Sequence, residues 1–143
     1  MWQVEYQKVF PSLSSGAVWK VWSDVDHWPE WDEDIEYAKL SGPFVAGGEL
    51  LLKPRGGPKV SIRLSEVQAG LSFTDVTHFP LARMIDVHEL QDTPQGLRLK
   101  NSIRMEGPLA WLWRKLVAEK VAAGIPRQME ALARYAAGKP DAP

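Results

Sequence analysis

The sequence predicts an α+β fold: a curved antiparallel sheet of about seven strands wrapped around one long C-terminal helix, with two short helices after the first strand. Three observations predict it. The opening residues alternate apolar and polar. The middle of the chain is a succession of period-two segments divided by Gly/Pro turns. The last thirty or so residues carry an apolar stripe at helical spacing. A sheet folded around a single helix leaves space between the two, so this order of elements implies a ligand cavity.

Each element has its own signal. Residues 2–10 place Trp2, Val4 and Tyr6 on one side and Gln3, Glu5 and Gln7 on the other, the pattern of a half-buried strand. Pro11-Ser12 ends it, and Ser14 or Ser15 can cap a helix reaching about Ser23, with Val18, Trp19 and Trp22 on its apolar face. Residues 24–34 read as a second short helix or tight turn, with Pro29 early and Trp28 and Trp31 on one face. Strands follow at 35–40, 48–53, 59–68, 71–78, 83–91 and 97–106. They are separated by Ser41-Gly42-Pro43, Pro54-Arg55-Gly56-Gly57-Pro58, Ala69-Gly70, the loop 79–82 and Thr93-Pro94-Gln95-Gly96. From 108 to 137 the stripe is Leu109, Leu112, Trp113, Leu116, Val117, Val121, Met129, Leu132 and Ala136. Gly124-Ile125-Pro126 predicts a kink, because Pro126 offers no N–H to Ala122.

The composition bounds the class. A chain of 143 residues forms one domain, expected over 1–138 with 139–143 as a frayed tail, and is long enough for a core without staples. With 17 basic against 18 acidic residues it lacks the basic excess of a nucleic-acid binder. Cysteine is absent, which removes disulfides, thiolate chemistry and cysteine metal sites. The charged first residues do not read as a signal peptide, and no stretch is apolar enough to span a membrane; a cytoplasmic location is expected. Seven tryptophans are the compositional oddity, read as core and docking anchors with one or two free to line a pocket.

The stretch from Val18 through Trp19, Trp22, Asp24, Asp26, His27, Trp28 and Pro29 to Trp31 resembles the opening of START-like proteins. Gly47-Gly48 before the third strand and Gly107-Pro108 before the last helix agree with it. This superfamily, also called SRPBCC, includes polyketide cyclase/dehydrase-like and lipid-transfer proteins. The resemblance covers nearly the whole chain and implies the helix-grip fold. It carries no universal catalytic motif, because the same scaffold serves binding, transport and catalysis.

The pocket wall is argued from strand pairing. With His78 opposite Arg83, Asp75 falls opposite Asp86 and Phe73 opposite His88. With Leu90 opposite Leu97 in the next hairpin, Asp86 faces Asn101 and His88 faces Leu99. One face then carries Leu71, Phe73, Met84, Leu90, Leu97, Leu99, Ile103 and Met105, with Asp75, Asp86, His88 and Asn101 set among them. Because Ile85 and Val87 occupy the other face of the middle strand, the reverse facing stays open; it would turn Arg83 and Glu89 inward. The expected ligand-binding residues are Phe73, Asp75, Met84, Asp86, His88, Leu99, Asn101, Ile103 and Trp113. Phe79 and Leu81 are expected over the mouth, since an exposed apolar loop is costly unless it covers something.

Asp75, Asp86 and His88 are also the candidates for acid/base catalysis. Facing carboxylates on an apolar wall raise at least one pKa, and a histidine can supply the compensating charge. The same group could instead orient a polar head or form a solvated network. No cofactor and no metal are expected. His27, His78 and His88 show no ligand spacing, and the acidic run Asp24, Asp26, Glu30, Asp32, Glu33 and Asp34 lacks the glycine of a calcium loop. The leading expectation is binding of a hydrophobic or aromatic, lipid- or polyketide-like small molecule. A polyketide cyclase/dehydratase-type enzyme is the alternative, and a protein-interaction module is third. Monomer and homodimer both stay open.

Overall fold

The chain's first and last strands lie side by side at one edge of a seven-stranded antiparallel sheet of order β1-β7-β6-β5-β4-β3-β2. A computed structural model describes residues 2–138; the expected tail at 139–143 lies outside them. The strands are β1 (Trp2–Phe10), β2 (Ile35–Ser41), β3 (Glu49–Pro54), β4 (Val60–Gln68), β5 (Ser72–Phe79), β6 (Ala82–Thr93) and β7 (Gly96–Glu106). Helix α1 (Ser15–Ser23) and a 3-10 helix (Val25–Glu30) follow β1. Ser14 caps α1 by accepting the Ala17 N–H at 3.3 Å. After β7 come α2 (Ala110–Trp113), a π-helical turn (Arg114–Ala118) and α3 (Glu119–Ala137). Helix α3 packs on α1, β1 and β7. No helix of the described residues is long and apolar enough to cross a membrane.

The sheet bends where its ladders are interrupted. One residue is extra in β4 between Leu64 and Glu66, and another in β2 between Ile35 and Tyr37. Such bulges sharpen the local bend and twist. At the far ends, glycine is required by close approach. Gly107 has φ +115°, and a Cβ there would lie 2.6 Å from the Leu81 carbonyl oxygen. That carbonyl accepts the Leu109 N–H at 3.0 Å, tying the β5–β6 turn to the start of the last helix.

The acidic run serves as structural linkage. Asp26 accepts the Leu40 N–H at 2.9 Å, and buried Asp32 accepts from Gln128 at 2.6 Å. Asp34 pairs with Arg127. These contacts staple the 3-10 region to β2 and to α3.

Three expectations are corrected. Leu90 pairs with Leu99, not Leu97, because β6 and β7 close on a Thr93–Gly96 pair around Pro94-Gln95. That loop puts Pro94 at the first turn position, where its locked φ fits, whereas the assumed register would put it second. The shift is two residues, so every side chain keeps its face, but Asp86 now pairs with Ile103 and His88 with Asn101. Leu71 is not on the inner wall: it lies in the β4–β5 turn and is 56% exposed.

The third correction concerns the last helix. The irregularity falls at Arg114–Ala118, while α3 runs unbroken through Pro126 with Ile125 buried. A π turn accommodates one extra residue and rotates the phase of the helix beyond it. Leu116 and Val121 of the predicted stripe are therefore exposed, and Ala118, Ile125 and Ala133 take core positions beside Met129, Leu132 and Ala136.

Candidate functional site

Inner-face positions of the central strands form cross-strand rows. One row runs Val4, Ile103, Asp86, Asp75, Leu64, and the next runs Tyr6, Asn101, His88, Phe73. The ambiguous strand is thereby settled: Met84, Asp86, His88 and Leu90 point inward. Ile85, on the other face, is buried as well, which is why alternation alone left the facing open. Phe73, Leu64, Leu99, Ile103 and Met105 are fully buried around the polar group.

The imidazole of His88 bridges the two carboxylates. Its Nε2 stands 3.2 Å from Asp75 Oδ2 and 3.3 Å from Asp86 Oδ1. The Asn101 amide donates to Asp86 Oδ1 and, at 3.1 Å, to the Val87 carbonyl. The three ionisable side chains are only 12–15% exposed. Burial pushes the Asp75 carboxyl up, and the Asp86 charge pushes it the same way, to about 6, against the pull of His88. Burial alone would lower His88, but the Asp86 charge and the hydrogen bonds to both carboxylates overcome it and hold the imidazolium up to about 10. The cluster therefore places a carboxyl and an imidazolium of different proton affinity within hydrogen-bond reach, the arrangement general acid/base chemistry requires.

Aromatic rings enclose the histidine. Phe73 stacks on it with centroids 4.2 Å apart, and Trp22 meets it edge-on at 5.9 Å. Trp22 and Phe44 also pack edge-on against Phe73, and Trp19 against both Trp22 and Phe44. The sequence pattern did not assign Trp19, Trp22 and Phe44 to the site. The three-residue spacing of the two tryptophans on α1 was the available signal, but nothing local says which strand they meet.

Phe73, Asp75, Asp86, His88 and Asn101 are thus brought together, with Met84, Leu99 and Ile103 on the same face. Trp113, Phe79 and Leu81 form a separate group at the β5–β6 turn. Phe79 stacks on Trp113 at 4.8 Å, and the indole N–H of Trp113 donates to the Pro80 carbonyl at 2.9 Å. Leu81 is 65% exposed at φ +58°. Asp75, Asp86 and His88 also present one ligand atom each within 4.8 Å of one another, a set of atoms that could hold a cation. Doing so requires displacing the proton that the two carboxylates keep on His88. The histidine spacings weighed in the sequence could not show this set, because two of its members are aspartates from different strands.

A trough of about 780 Å³ lies on the opposite face of the sheet, walled by side chains that include Glu66, Arg83, Glu89, Arg98, Lys100 and Arg104. Several of these are satisfied by neighbours: Arg83 by Glu106, Arg98 by Gln91 and Lys100 by Glu5.

A bent antiparallel sheet closed over a long helix, with charged groups held inside, defines a helix-grip protein. The chain belongs to the family described as polyketide cyclase/dehydrase and lipid transport, whose profile matches residues 1–137. Solved structures share the fold at low identity. A hypothetical protein from Helicobacter pylori is 12% identical over 94% of this chain and 87% of its own, with a TM-score of 0.76. Norcoclaurine synthase from Thalictrum flavum, solved with dopamine and hydroxybenzaldehyde, is 15% identical over 97% and 88%, at 0.73. Ara h 8.0201 is 14% identical over 96% and 99%, at 0.71. No protein of curated function matches the sequence.

Proposed function

We propose that this protein binds a hydrophobic or aromatic small molecule between the sheet and the C-terminal helix, with Asp75, His88 and Asp86 holding the polar end. The observation that carries this reading is the charged trio itself, buried in an apolar wall. Removing three charges from water costs several kcal/mol per ion, and a packed apolar trio of similar volume is often at least as stable. A charged trio in such a setting points to use. Half-buried apolar side chains on the inner face of β2, β3 and β4 (Leu40, Leu52 and Ile62) offer surface for a ligand body. The lipid-transport function in the family's description and the aromatic ligands bound to the synthase with the same fold support the same class.

Native mass spectrometry of the purified protein, then denaturation to release what it holds, tests this. A retained apolar or aromatic mass that is lost from His88→Gln, with unchanged circular dichroism, is expected. Undiminished retention in the variant separates binding from this cluster and refutes the assignment.

A second reading, an enzyme of cyclase or dehydratase type, is favoured by Asp75, whose carboxyl titrates near neutrality beside a charged imidazole. Asp86→Asn and His88→Gln discriminate: an enzyme loses turnover while keeping ligand, and a carrier has none to lose.

A further inference from the structure

The hydrogen-bond inventory of the trio says what kind of head group it accepts. Asp75 Oδ2 is taken by His88, and Asp86 Oδ1 is taken by His88 and Asn101. Asp75 Oδ1 and Asp86 Oδ2 receive no hydrogen bond from any described residue. Both free positions are acceptors only. Asn101 offers no spare donor, since its amide hydrogens go to Asp86 and to the Val87 carbonyl. With one imidazolium between two carboxylates, the trio has a net charge of about −1 on a wall of low polarity, where charge is weakly screened. The imidazolium's second N–H, on Nδ1, is turned away from the carboxylates by ring geometry, so it does not satisfy them and remains a donor on the far side of the ring.

We infer that the site selects ligands whose polar end donates hydrogen bonds, a protonated amine above all and a hydroxyl next, on an aromatic or apolar body, and that it rejects anionic heads such as carboxylates. This rests on the binding reading above and narrows its substrate class. A charge-assisted hydrogen bond that is satisfied in one ligand and replaced by repulsion in another separates their affinities by roughly tenfold or more.

The test uses three probes with one body: 2-naphthylmethylamine, 2-naphthol and 2-naphthoate, titrated calorimetrically into the full chain at pH 7.5. The amine is expected to bind at least about tenfold tighter than the naphthoate, with the naphthol between them. In Asp86→Asn, and independently in Asp75→Asn, that gap should shrink to within about threefold as one acceptor charge is lost. Equal affinities, or a preference for naphthoate, overturn the head-group inference and leave the binding reading standing. A preference for the amine that survives unchanged in both variants overturns its assignment to this trio. No binding of any of the three overturns the binding reading and this inference together. If one variant fails to fold, the wild-type ranking and the other variant still decide.

Discussion

Replacing His88 with Gln removes a charge while keeping an amide that can reach toward the carboxylates, and its effect on stability should depend steeply on pH. The folded protein holds this imidazolium up to about 10, against 6.5 for an ordinary histidine. Burial opposes the charge, but the Asp86 carboxylate and the hydrogen bonds to both aspartates outweigh it. A group whose folded pKa is raised contributes stability that is complete below the unfolded pKa and is lost as pH rises through the folded one. The window for His88 is therefore 6.5 to about 10. At about 1.4 kcal/mol per pH unit, the whole window is worth up to about 5 kcal/mol. Asp75 acts in the same sense at lower pH. Its carboxyl is raised from 3.8 to about 6, so its protonated form favours folding and that preference is lost across this span. Thermal melts followed by circular dichroism between pH 7 and 10 test the argument. Wild type should lose up to about 1.4 kcal/mol per pH unit, or several degrees in Tm for a chain of this size. His88→Gln should start lower at pH 7, because two carboxylates then face each other without the imidazolium, and should lose the His88 share of the slope, keeping only what the Asp75 carboxyl, no longer pulled down by His88, contributes as it titrates. Parallel profiles for the two proteins would refute a charged His88 as the link between the aspartates.

The remaining predictions concern the β5–β6 turn and the glycine packed against it. Leu81→Ser should change stability by no more than about 0.5 kcal/mol, since the side chain is exposed, and should weaken ligand binding if the turn covers the mouth. Leu81→Asn should raise stability by roughly 0.5–1 kcal/mol, because asparagine tolerates positive φ. Phe79→Ser, which breaks the stack on Trp113, should cost about 1–3 kcal/mol and lower affinity with it; urea titrations alongside ligand titrations separate the three. Gly107→Ala should cost at least about 2 kcal/mol, since its Cβ would meet the Leu81 carbonyl at positive φ. A thermal shift near zero for that variant would show that the turn and the last helix are not locked together.

Two local facts brought the candidate trio together in the sequence, while the facing of β6 waited on the structure. Period-two alternation placed Asp75 with Phe73, and Asp86 with His88, on one side of their strands. The short turn after Phe79 put the two strands in register with Asp75 opposite Asp86, as the structure pairs them. The partner of Asn101 was misassigned for an equally local reason. Moving the β6–β7 register by two residues preserves every face, so hydrophobic patterning is blind to it, and only the fit of Pro94 into the turn decides. In the last helix, the expected stripe assumed 3.6 residues per turn throughout. The π turn at Arg114–Ala118 breaks that phase, and it leaves Leu116 at 54% exposure where periodicity had buried it.

By itself the sequence determined what is written in short-range repetition. This comprises the order of strands and helices, the inward face of the strands that alternate cleanly, and the turn positions at glycine and proline; the facing of β6, with Ile85 buried on one side and Met84 on the other, was left to the structure. The tertiary structure alone decided what depends on distant segments meeting. It set β1 against β7 at the sheet edge, bent the sheet at its bulges, and brought Trp22 from α1 and Phe73 from β5 against His88. It also set the proton affinities of Asp75 and His88. Those arise from burial and from charges a few ångströms away on neighbouring strands, and neither distance nor burial is a property of any stretch of sequence.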